Sequence, residues 1–270
     1  MRLLYNSLIA IITVAFVTGC DDSDGSNHSN DRGEPVRSET SEWSGQVAFG
    51  GEVEVKGIGG DVTFMLGVGD DVHVEAVKNG WRNDPSTVTM EVVEHAGGVR
   101  ICAIYPDVPG QAPNSCTEGG NNTSWNNDVE VDFTVRIPPG LTLEAGMVGG
   151  DLTALGIENE VILRTIGGDI VISTTEIAEA STFGGNITVT IGSTDPGRNL
   201  VFNTLSGNVT VTVPAAVNAI ADVTAFSGTV SSDFPLTLVG PNHLQGTLGA
   251  GGSTLTLSSS SGIARLLRGP

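Results

Sequence analysis

Short acids and amides that follow paired glycines are the most regular candidates for chemistry in this chain. They recur in near-identical phrases at 58–64 (IGGDVTF), 148–154 (VGGDLTA), 166–172 (IGGDIVI) and 183–189 (FGGNITV). Repeated Gly and Asp are typical of calcium-binding β-rolls, whose pattern G-G-x-G-x-D-x-U-x needs a further Gly and a later Asp. Here the acid follows the glycine pair directly, and Asn replaces Asp in some repeats. Calcium is therefore the less favoured interpretation.

The cysteines predict a lipid site and a disulfide. Cys20 follows Arg2, an apolar run over 3–16 and the small residues 17–19, which is the layout of a secretory signal peptide too short to span a bilayer comfortably. Small residues directly before a Cys resemble the lipobox of bacterial lipoproteins. We therefore predict a signal peptide over 1–19 and lipid attachment at Cys20. The alternative is an ordinary signal peptide with a chance Cys at its end.

Export leaves Cys102 and Cys116 to pair in an oxidising compartment. Such a bridge would contribute about 3 kcal/mol on the chain-entropy model. The alternative is two free thiols. The histidines are scattered, at His28, His73, His95 and His243, and the cysteines lack partner ligands at zinc-like spacing. We predict neither a metal nor a cofactor.

Net charge narrows the function classes. The formal charge is −19 and the sequence pI is about 4.3. Nucleic acid needs clustered Lys and Arg, so it is not a predicted partner. An acidic surface also repels anionic membranes, which leaves Cys20 as the predicted membrane attachment. Residues 20–44 are mostly small, polar and acidic, and are predicted to form a disordered tether after the lipidated Cys.

The glycine phrases also carry a period. The second residue of each turn pair recurs every 17–22 residues from 150 onward, which is typical of stacked units too small to bury their own apolar face. Strict alternation over 187–191 (ITVTI) and 209–213 (VTVTV) predicts strands with Val and Ile inside and Thr outside. The predicted fold is an all-β solenoid, or single-stranded β-helix, with a β-sandwich as the alternative.

Glycine suits the sharp corners of such a coil because it takes positive φ without a Cβ clash. The short polar side chain after it is predicted to accept a hydrogen bond from the backbone two residues on. The predicted turn residues are Gly60, Asp61, Gly150, Asp151, Gly168, Asp169, Gly185, Asn186, Gly207, Asn208 and Gly228.

Residues 45–138 have longer strands with alternating charges, typical of a sheet with one wet face. We predict one domain over 45–270 with this more sheet-like N-terminal part and a disulfide-pinned loop around 102–127. Trp81 and Trp125 lie in polar surroundings and are candidate binding residues. The alternative, which we favour, is that they cover an open end or edge of the sheet.

The phrases GIGGDVTF, VRICAIYP, VDFTVRIPPGLTLEA and LQGTLGAGGSTLTLSSSSGIARLL resemble a bacterial β-strand-repeat family of unknown function whose members are called "putative adhesins". The resemblance covers nearly all of residues 45–267. It implies a β-solenoid on an exported or anchored chain and no established enzyme activity. Ile263 stands where the repeat usually has Asp or Asn, which puts the last turn in doubt or marks it as a cap.

Three function hypotheses follow. The first is a non-enzymatic, lipid-anchored envelope protein that binds or presents a protein or glycan partner, on the periplasmic face or the cell surface. The second is a structural or regulatory envelope component that contacts other envelope proteins. The third, a polysaccharide-acting β-helix enzyme, is disfavoured because the repeat region lacks the positive charge that a polyanionic substrate needs and no catalytic motif is present.

Overall fold

The computed structural model describes residues 14–15 and 34–269, and the prediction of an all-β fold is confirmed. The helical element of the described ranges is a single 3-10 turn, Pro85–Thr87. In the first half of the chain the strands are β1 (Val14–Ala15), β2 (Arg37–Gln46), β3 (Glu52–Lys56), β4 (Val62–Leu66), β5 (Asp71–Gly80), β6 (Thr89–His95), β7 (Gly98–Ile104) and β8 (Glu130–Ile137).

The second half adds twelve strands. They are β9 (Thr142–Gly149), β10 (Leu152–Ile157), β11 (Glu160–Gly167), β12 (Ile170–Thr174), β13 (Ala178–Gly184), β14 (Ile187–Ile191), β15 (Leu200–Ser206), β16 (Val209–Val213), β17 (Ala219–Ser232), β18 (Thr237–Gly240), β19 (His243–Leu248) and β20 (Thr254–Arg268). Apart from the 3-10 turn, every secondary-structure element of the described ranges is therefore a strand.

The strands pair in two ladders. Ladder A runs β6–β7–β3–β9–β11–β13–β15–β20–β17–β19–β18, and ladder B runs β1–β2–β5–β8–β4–β10–β12–β14–β16–β20–β17. β20 and β17 are long enough to belong to both, so the ladders form one mixed sheet around the core. We call a strand of ladder A, the corner after it and the next strand of ladder B a rung.

Register explains why the core needs so few aromatic residues. Leu152 lies beside Ile170, Ile170 beside Ile187, and Ile187 beside Val209, all in parallel ladders. The inward residues of both ladders form one hydrophobic cluster, while the residues between them face outward. Each buried Val, Leu or Ile contributes about 1.5–3 kcal/mol, so these aliphatic columns supply the core.

The arrangement of strands fits the β-sandwich alternative better than one uniform solenoid coil. Several pairs are antiparallel: β5 pairs with β2 and with β8, β6 pairs with β7, and β19 pairs with β17 and with β18. From β9 to β16 the pairing between strands is parallel throughout. The longer alternating strands of the N-terminal part permit hairpins, which a sheet with one wet face tolerates.

The predicted order of the last rungs is wrong. A period read along the chain makes Gly228 the neighbour of Gly207, but β20 lies between them, and the neighbour of Gly207 is Gly262. β17 instead pairs with β20 on one side and with β19 on the other. A repeat period in the sequence predicts neighbours only if consecutive units stack on one another. Here the chain forms the β18–β19 hairpin after β17, and only then does β20 enter the sheet between β16 and β17.

The tether predicted over residues 20–44 is too long at its C-terminal end. Residues 37–44 belong to β2, which pairs with β5 over ten residues from Arg37↔Gly80 to Gln46↔Asp71. Trp43 and Ser41 are buried although the surrounding segment is polar. Alternation with Glu42 and Ser44 on the wet side, opposite Ser41 and Trp43, satisfies an antiparallel edge strand, and the polar composition of the segment had hidden that alternation.

The predicted disulfide is present. Cys102 in β7 and Cys116 in the following loop are joined, with their Cα atoms 5.7 Å apart. They form a small hydrophobic cluster with Ile104, which pins the loop against ladder A. Cys20, the predicted signal peptide apart from Val14 and Ala15, and most of the predicted tether lie outside the described residues. Within the described ranges, no helix is long and apolar enough to cross a membrane.

Candidate binding surface

The corner between the ladders is held by the second glycine of each pair. These residues have φ between +109° and +152°, in the region that favours glycine. A Cβ on Gly168 would lie 2.0 Å from the carbonyl oxygen of Gly150 in the neighbouring rung. The same close approach recurs at the other second glycines of the repeat, Gly60, Gly150, Gly185 and Gly207. The backbones of successive corners therefore touch, and only glycine fits.

The acids and amides after these glycines link rungs to one another. The Oδ1 atom of Asp151 accepts a hydrogen bond from the Asp169 N–H at 2.7 Å, and Asp169 Oδ1 accepts from Asn186 N–H at 2.7 Å. The series runs Asp132, Asp61, Asp151, Asp169, Asn186, Asn208 and ends at the Ile263 N–H. We call it the Asx ladder. The predicted partner, an amide two residues on in the same turn, is replaced by the equivalent amide of the next rung.

A buried hydroxyl column supports the corner from inside, and sequence reasoning missed it. The Oγ1 atoms of Thr182 and Thr204 donate to the carbonyls of Gly168 and Gly185 at 3.2 and 2.9 Å. Ser259 donates in the same way to Gly207. The signal was visible as Thr or Ser three residues before the second glycine. These bonds satisfy buried hydroxyls and corner carbonyls together, so the corner is rigid.

The first glycine of each pair is not required by the backbone. Gly149, Gly167 and Gly184 do not have φ in the left-handed region. A Cβ on them would meet its nearest atom at 3.7, 3.9 and 3.9 Å, which is ordinary contact. Ser206 and Ser261 occupy the same register position in later rungs, so a side chain is compatible with the fold. These three glycines leave a strip of bare backbone, the glycine strip, that packing does not explain.

An exposed apolar column borders the glycine strip. Its members directly precede the first position of each pair and are 44–90% exposed: Val148, Ile166, Phe183, Leu205 and Phe226. We call them the apolar ridge. Register places the first four on consecutive strands of ladder A, about 4.8 Å apart, so they extend over about 14 Å. Ser260 on β20 separates Leu205 from Phe226.

The ridge is larger than the fold requires. Isolated exposed apolar residues are ordinary, but contiguous ones mark interaction surfaces. A shallow depression of about 380 Å³ beside Phe183 and Leu205 is completed by hydroxyls, including Ser258 and Ser260. The sequence contained the signal, because the residue before each glycine pair is Ile, Val or Phe in every quoted phrase. It was missed because an apolar residue in a strand pattern is ordinarily taken as core.

Charge lines the other side of the glycine strip. Asp61, Asp151 and Asp169 stack there, with Asp132 at one end of the Asx ladder. Burial raises the pKa of Asp132, and the neighbouring Asp61 carboxylate adds to that increase. On ladder A, Arg164 offsets Glu144 at 2.6 Å. The corner surface, comprising the apolar ridge, glycine strip and Asx ladder, is therefore apolar on one side and acidic on the other.

The two predicted tryptophans are carried by adjoining loops away from this corner. Asp128 accepts hydrogen bonds from the backbone N–H and the Nε of Arg82 and from the Asn83 N–H, which ties the Trp81 loop to the Trp125 loop. Desolvation opposes ionisation, but these donors outweigh it and lower the Asp128 pKa to about 2. Trp81 is half-buried, whereas Trp125 is 79% exposed.

The described residues contain no group of three or more His, Cys, Asp or Glu side chains placed to hold a metal ion. The Asx ladder uses its Oδ1 atoms on backbone amides rather than on a shared centre. The corner surface offers exposed apolar side chains on the ridge, bare backbone at the glycine strip and carboxylates along the Asx ladder.

No family model matches this chain. No curated protein matches it in sequence. Solved structures to which it is similar include a "putative cell adhesion protein" from Clostridium sporogenes, at 12% identity and a TM-score of 0.43, covering 84% of this chain and 99% of that one. Another is a "putative adhesin" from Bacteroides fragilis, at 10% identity and a TM-score of 0.36, covering 85% and 96%. A third is a "putative lipid binding protein" from Parabacteroides distasonis, at 11% identity and a TM-score of 0.30, covering 87% and 98%. At these identities and scores the likeness supports no functional inference.

Proposed function

We propose that this chain is a non-enzymatic binding protein of the bacterial cell envelope, adhesin-like in role, and that the corner surface contacts a protein partner. The observation that carries the proposal is the apolar ridge, in which Phe183 is 61% exposed and Ile166 56% exposed on consecutive strands. Interfaces place apolar residues at their centre and polar residues at their rim. Three of the five ridge members, Val148, Ile166 and Leu205, are aliphatic, which favours a protein partner over a glycan because sugars stack on aromatic rings.

The glycine strip supports the same proposal. Gly149, Gly167 and Gly184 are free to carry a side chain without a clash, yet three successive rungs leave the position bare. Glycine without a packing reason is typical of a place where another backbone or ligand approaches closely. A partner on the apolar ridge would reach the backbone there.

We infer further that β9 to β16 coil as a solenoid within the mixed sheet, which would make the corner surface straight and rigid. Parallel pairing at every step and the touching glycine corners support this inference. A preorganised face lowers the entropy cost of binding.

Lipid attachment at Cys20, with the residues that follow as a tether, would hold this face in the envelope. The Cys102–Cys116 disulfide supports an oxidising, exported location. Replacing Cys20 by Ala should release the protein from membranes with its circular dichroism unchanged. Continued membrane association would contradict the lipid anchor.

Site-specific photo-crosslinking in living cells tests the contact surface. A benzophenone amino acid at Phe183 should give a discrete crosslinked polypeptide, and one at the exposed Thr190 in the same rung should not. Gly167→Leu fills the glycine strip and should abolish the Phe183 crosslink without lowering the melting temperature. Identical crosslinks from both positions, or none from Phe183, would refute the proposal.

A glycan partner is the second candidate, and the exposure of Trp125 favours it. The exposed Asn126 beside it supplies an amide group that could hydrogen-bond sugar hydroxyls. Binding of the purified protein to an array of glycans, lost in Trp125→Ala but retained in Phe183→Ser, would favour this candidate over the ridge.

A further inference from the structure

A polar depression of about 310 Å³ lies on the outer face of ladder B, where β14, β16 and β20 run side by side. No aromatic side chain lines it. The side chains around it form two rows across the strands, Thr188, Thr210 and Arg265 in one row and Asn186, Asn208 and Ile263 in the other. Its chemistry therefore differs from that of the apolar ridge, because hydroxyls, amides and one guanidinium predominate.

Arg265 is the cation of this depression, and it has no acidic partner. Its neighbours in the sheet are Thr210 on β16 and Ser231 on β17, and neither carries charge. Arg164 and Arg198 pair with glutamates, but no carboxylate of the described ranges contacts the Arg265 side chain. On a chain with a net charge of −19, an exposed and unpaired guanidinium is a place where an external anion meets attraction rather than repulsion.

The Asx ladder changes from Asp to Asn as it approaches this arginine. Its structural role needs only an Oδ1 atom that accepts from the next rung, and Asn208 provides one to the Ile263 N–H at 2.9 Å. Aspartate has the same acceptor, so the backbone does not select between the two residues. Asparagine removes a negative charge and adds an NH2 group, and the Nδ2 of Asn208 has no partner in the described part of the chain.

Ile263 completes the arrangement, which accounts for its departure from the repeat. It precedes Arg265 by two residues on β20, so both side chains lie on the same face of the sheet. An Asp at this position would stand about 7 Å from Arg265 along the strand, within reach of an ion pair. Ile263 instead leaves the guanidinium free and adds a half-buried apolar group to the depression.

We propose that this depression binds a saccharide that carries a carboxylate. Arg265 binds the carboxylate, and the Asn208 amide donates to a ring oxygen or hydroxyl. The hydroxyls of Thr188 and Thr210 bond to the remaining sugar hydroxyls, while Ile263 contacts the apolar face of the ring. A peptide carboxylate fits less well, because the lining offers no apolar pocket for a side chain. Since no aromatic ring is present to stack on, the carboxylate supplies most of the selectivity.

This site adjoins the corner surface and shares Asn186 and Asn208 with the Asx ladder, but it uses no residue of the apolar ridge. Phe183→Ser and Trp125→Ala should therefore leave saccharide binding here unchanged. Each of those variants removes a contact proposed above for another partner, so the failure of either earlier proposal is distinguishable from a failure of this one.

NMR titration of the lipid-free protein (Cys20→Ala) tests the site with methyl glucuronide and methyl glucoside, which differ only by a carboxylate in place of a hydroxymethyl group. The glucuronide should bind at least about tenfold more tightly and shift the side-chain signals of Arg265 Nε–H and Asn208 Nδ2. Arg265→Gln should abolish this preference. Arg136→Gln is the matched control and should preserve it, because Arg136 is an exposed arginine of ladder B that likewise contacts no carboxylate of the described ranges.

Asn208→Asp is the sharper variant, because it keeps the Oδ1 acceptor for the Ile263 N–H and places a carboxylate in the depression with Arg265. It should remove the preference for glucuronide with the melting temperature unchanged. Acetate at the same concentration should not displace the glucuronide, because it lacks the sugar hydroxyls. Equal binding of the two glycosides, a preference that survives Arg265→Gln or Asn208→Asp, an equal loss in Arg136→Gln, or displacement by acetate would overturn the proposal.

Discussion

Gly167 and Gly168 are adjacent and chemically identical, yet the structure predicts opposite results when each becomes Ala. At Gly168 the backbone φ is +138° and a Cβ would lie 2.0 Å from the Gly150 carbonyl oxygen. Strain in that region costs about 1–3 kcal/mol, and the contact forces the backbones of two rungs apart. Overpacking of this kind adds about 1–3 kcal/mol, so the total is about 2–6 kcal/mol, among the larger effects of single substitutions.

At Gly167 the added Cβ would meet its nearest atom, Val148 O, at 3.9 Å, with no left-handed φ. Ala there should change stability by less than about 0.5 kcal/mol, or raise it slightly by restricting the unfolded chain. Because about 2–4 °C corresponds to 1 kcal/mol in a domain of this size, Gly168→Ala should melt about 10 °C lower than Gly167→Ala.

Thermal and urea unfolding, followed by far-ultraviolet circular dichroism, measure both variants. Equal losses would show that the two corner positions are equivalent, and the glycine strip would lose its basis. An unchanged Gly168→Ala would show that successive corners do not touch. Either result would refute the account of the corner surface.

Three further predictions concern the core, the loop and the response to acid. Val189→Asp, at a position with 0% exposure, should destabilise by several kcal/mol, whereas Thr190→Lys next to it should cost less than about 1 kcal/mol; similar urea midpoints would show that the faces are reversed. Cys116→Ser should lower stability by about 2–3 kcal/mol and admit protease into the loop while the rest stays folded, and an unchanged digestion pattern would contradict that role. The depressed Asp128 pKa stabilises the fold above pH 3.8, and this contribution is lost as the pH falls towards 2, so Asp128→Asn should show a smaller loss of stability between pH 5 and pH 2.5.

Several elements were predictable because they depend on local patterns. Alternation in 187–191 and 209–213 gives strands whatever their neighbours, and both are strands in the structure. The pairing of Cys102 with Cys116 followed from counting cysteines in an exported chain. Glycine at the corners followed from its conformational freedom, and Gly168 has the positive φ expected of it.

Other features depend on which strands become neighbours. The position of β20 between β16 and β17 could not be read from a period, because hairpin β18–β19 interrupts the order of the stack. The polar segment 37–44 becomes a strand because β5 offers a partner to each of its eight residues. Composition measures a segment's own apolar content and not the pairing that a neighbouring strand supplies.

The sequence by itself determined the strictly alternating strands such as β14 and β16, the two faces of each such strand, the presence of glycine at the corners and the disulfide, since each follows from alternation, backbone freedom or residue type. Only the tertiary structure decided that one glycine of each pair is required and the other is not, because that distinction rests on the approach of a neighbouring rung. It also decided that Phe183 and its neighbours face outward. An apolar side chain before a corner has the same sequence signature whether it points into the core or away from it, and only the path of the backbone through the corner selects between the two.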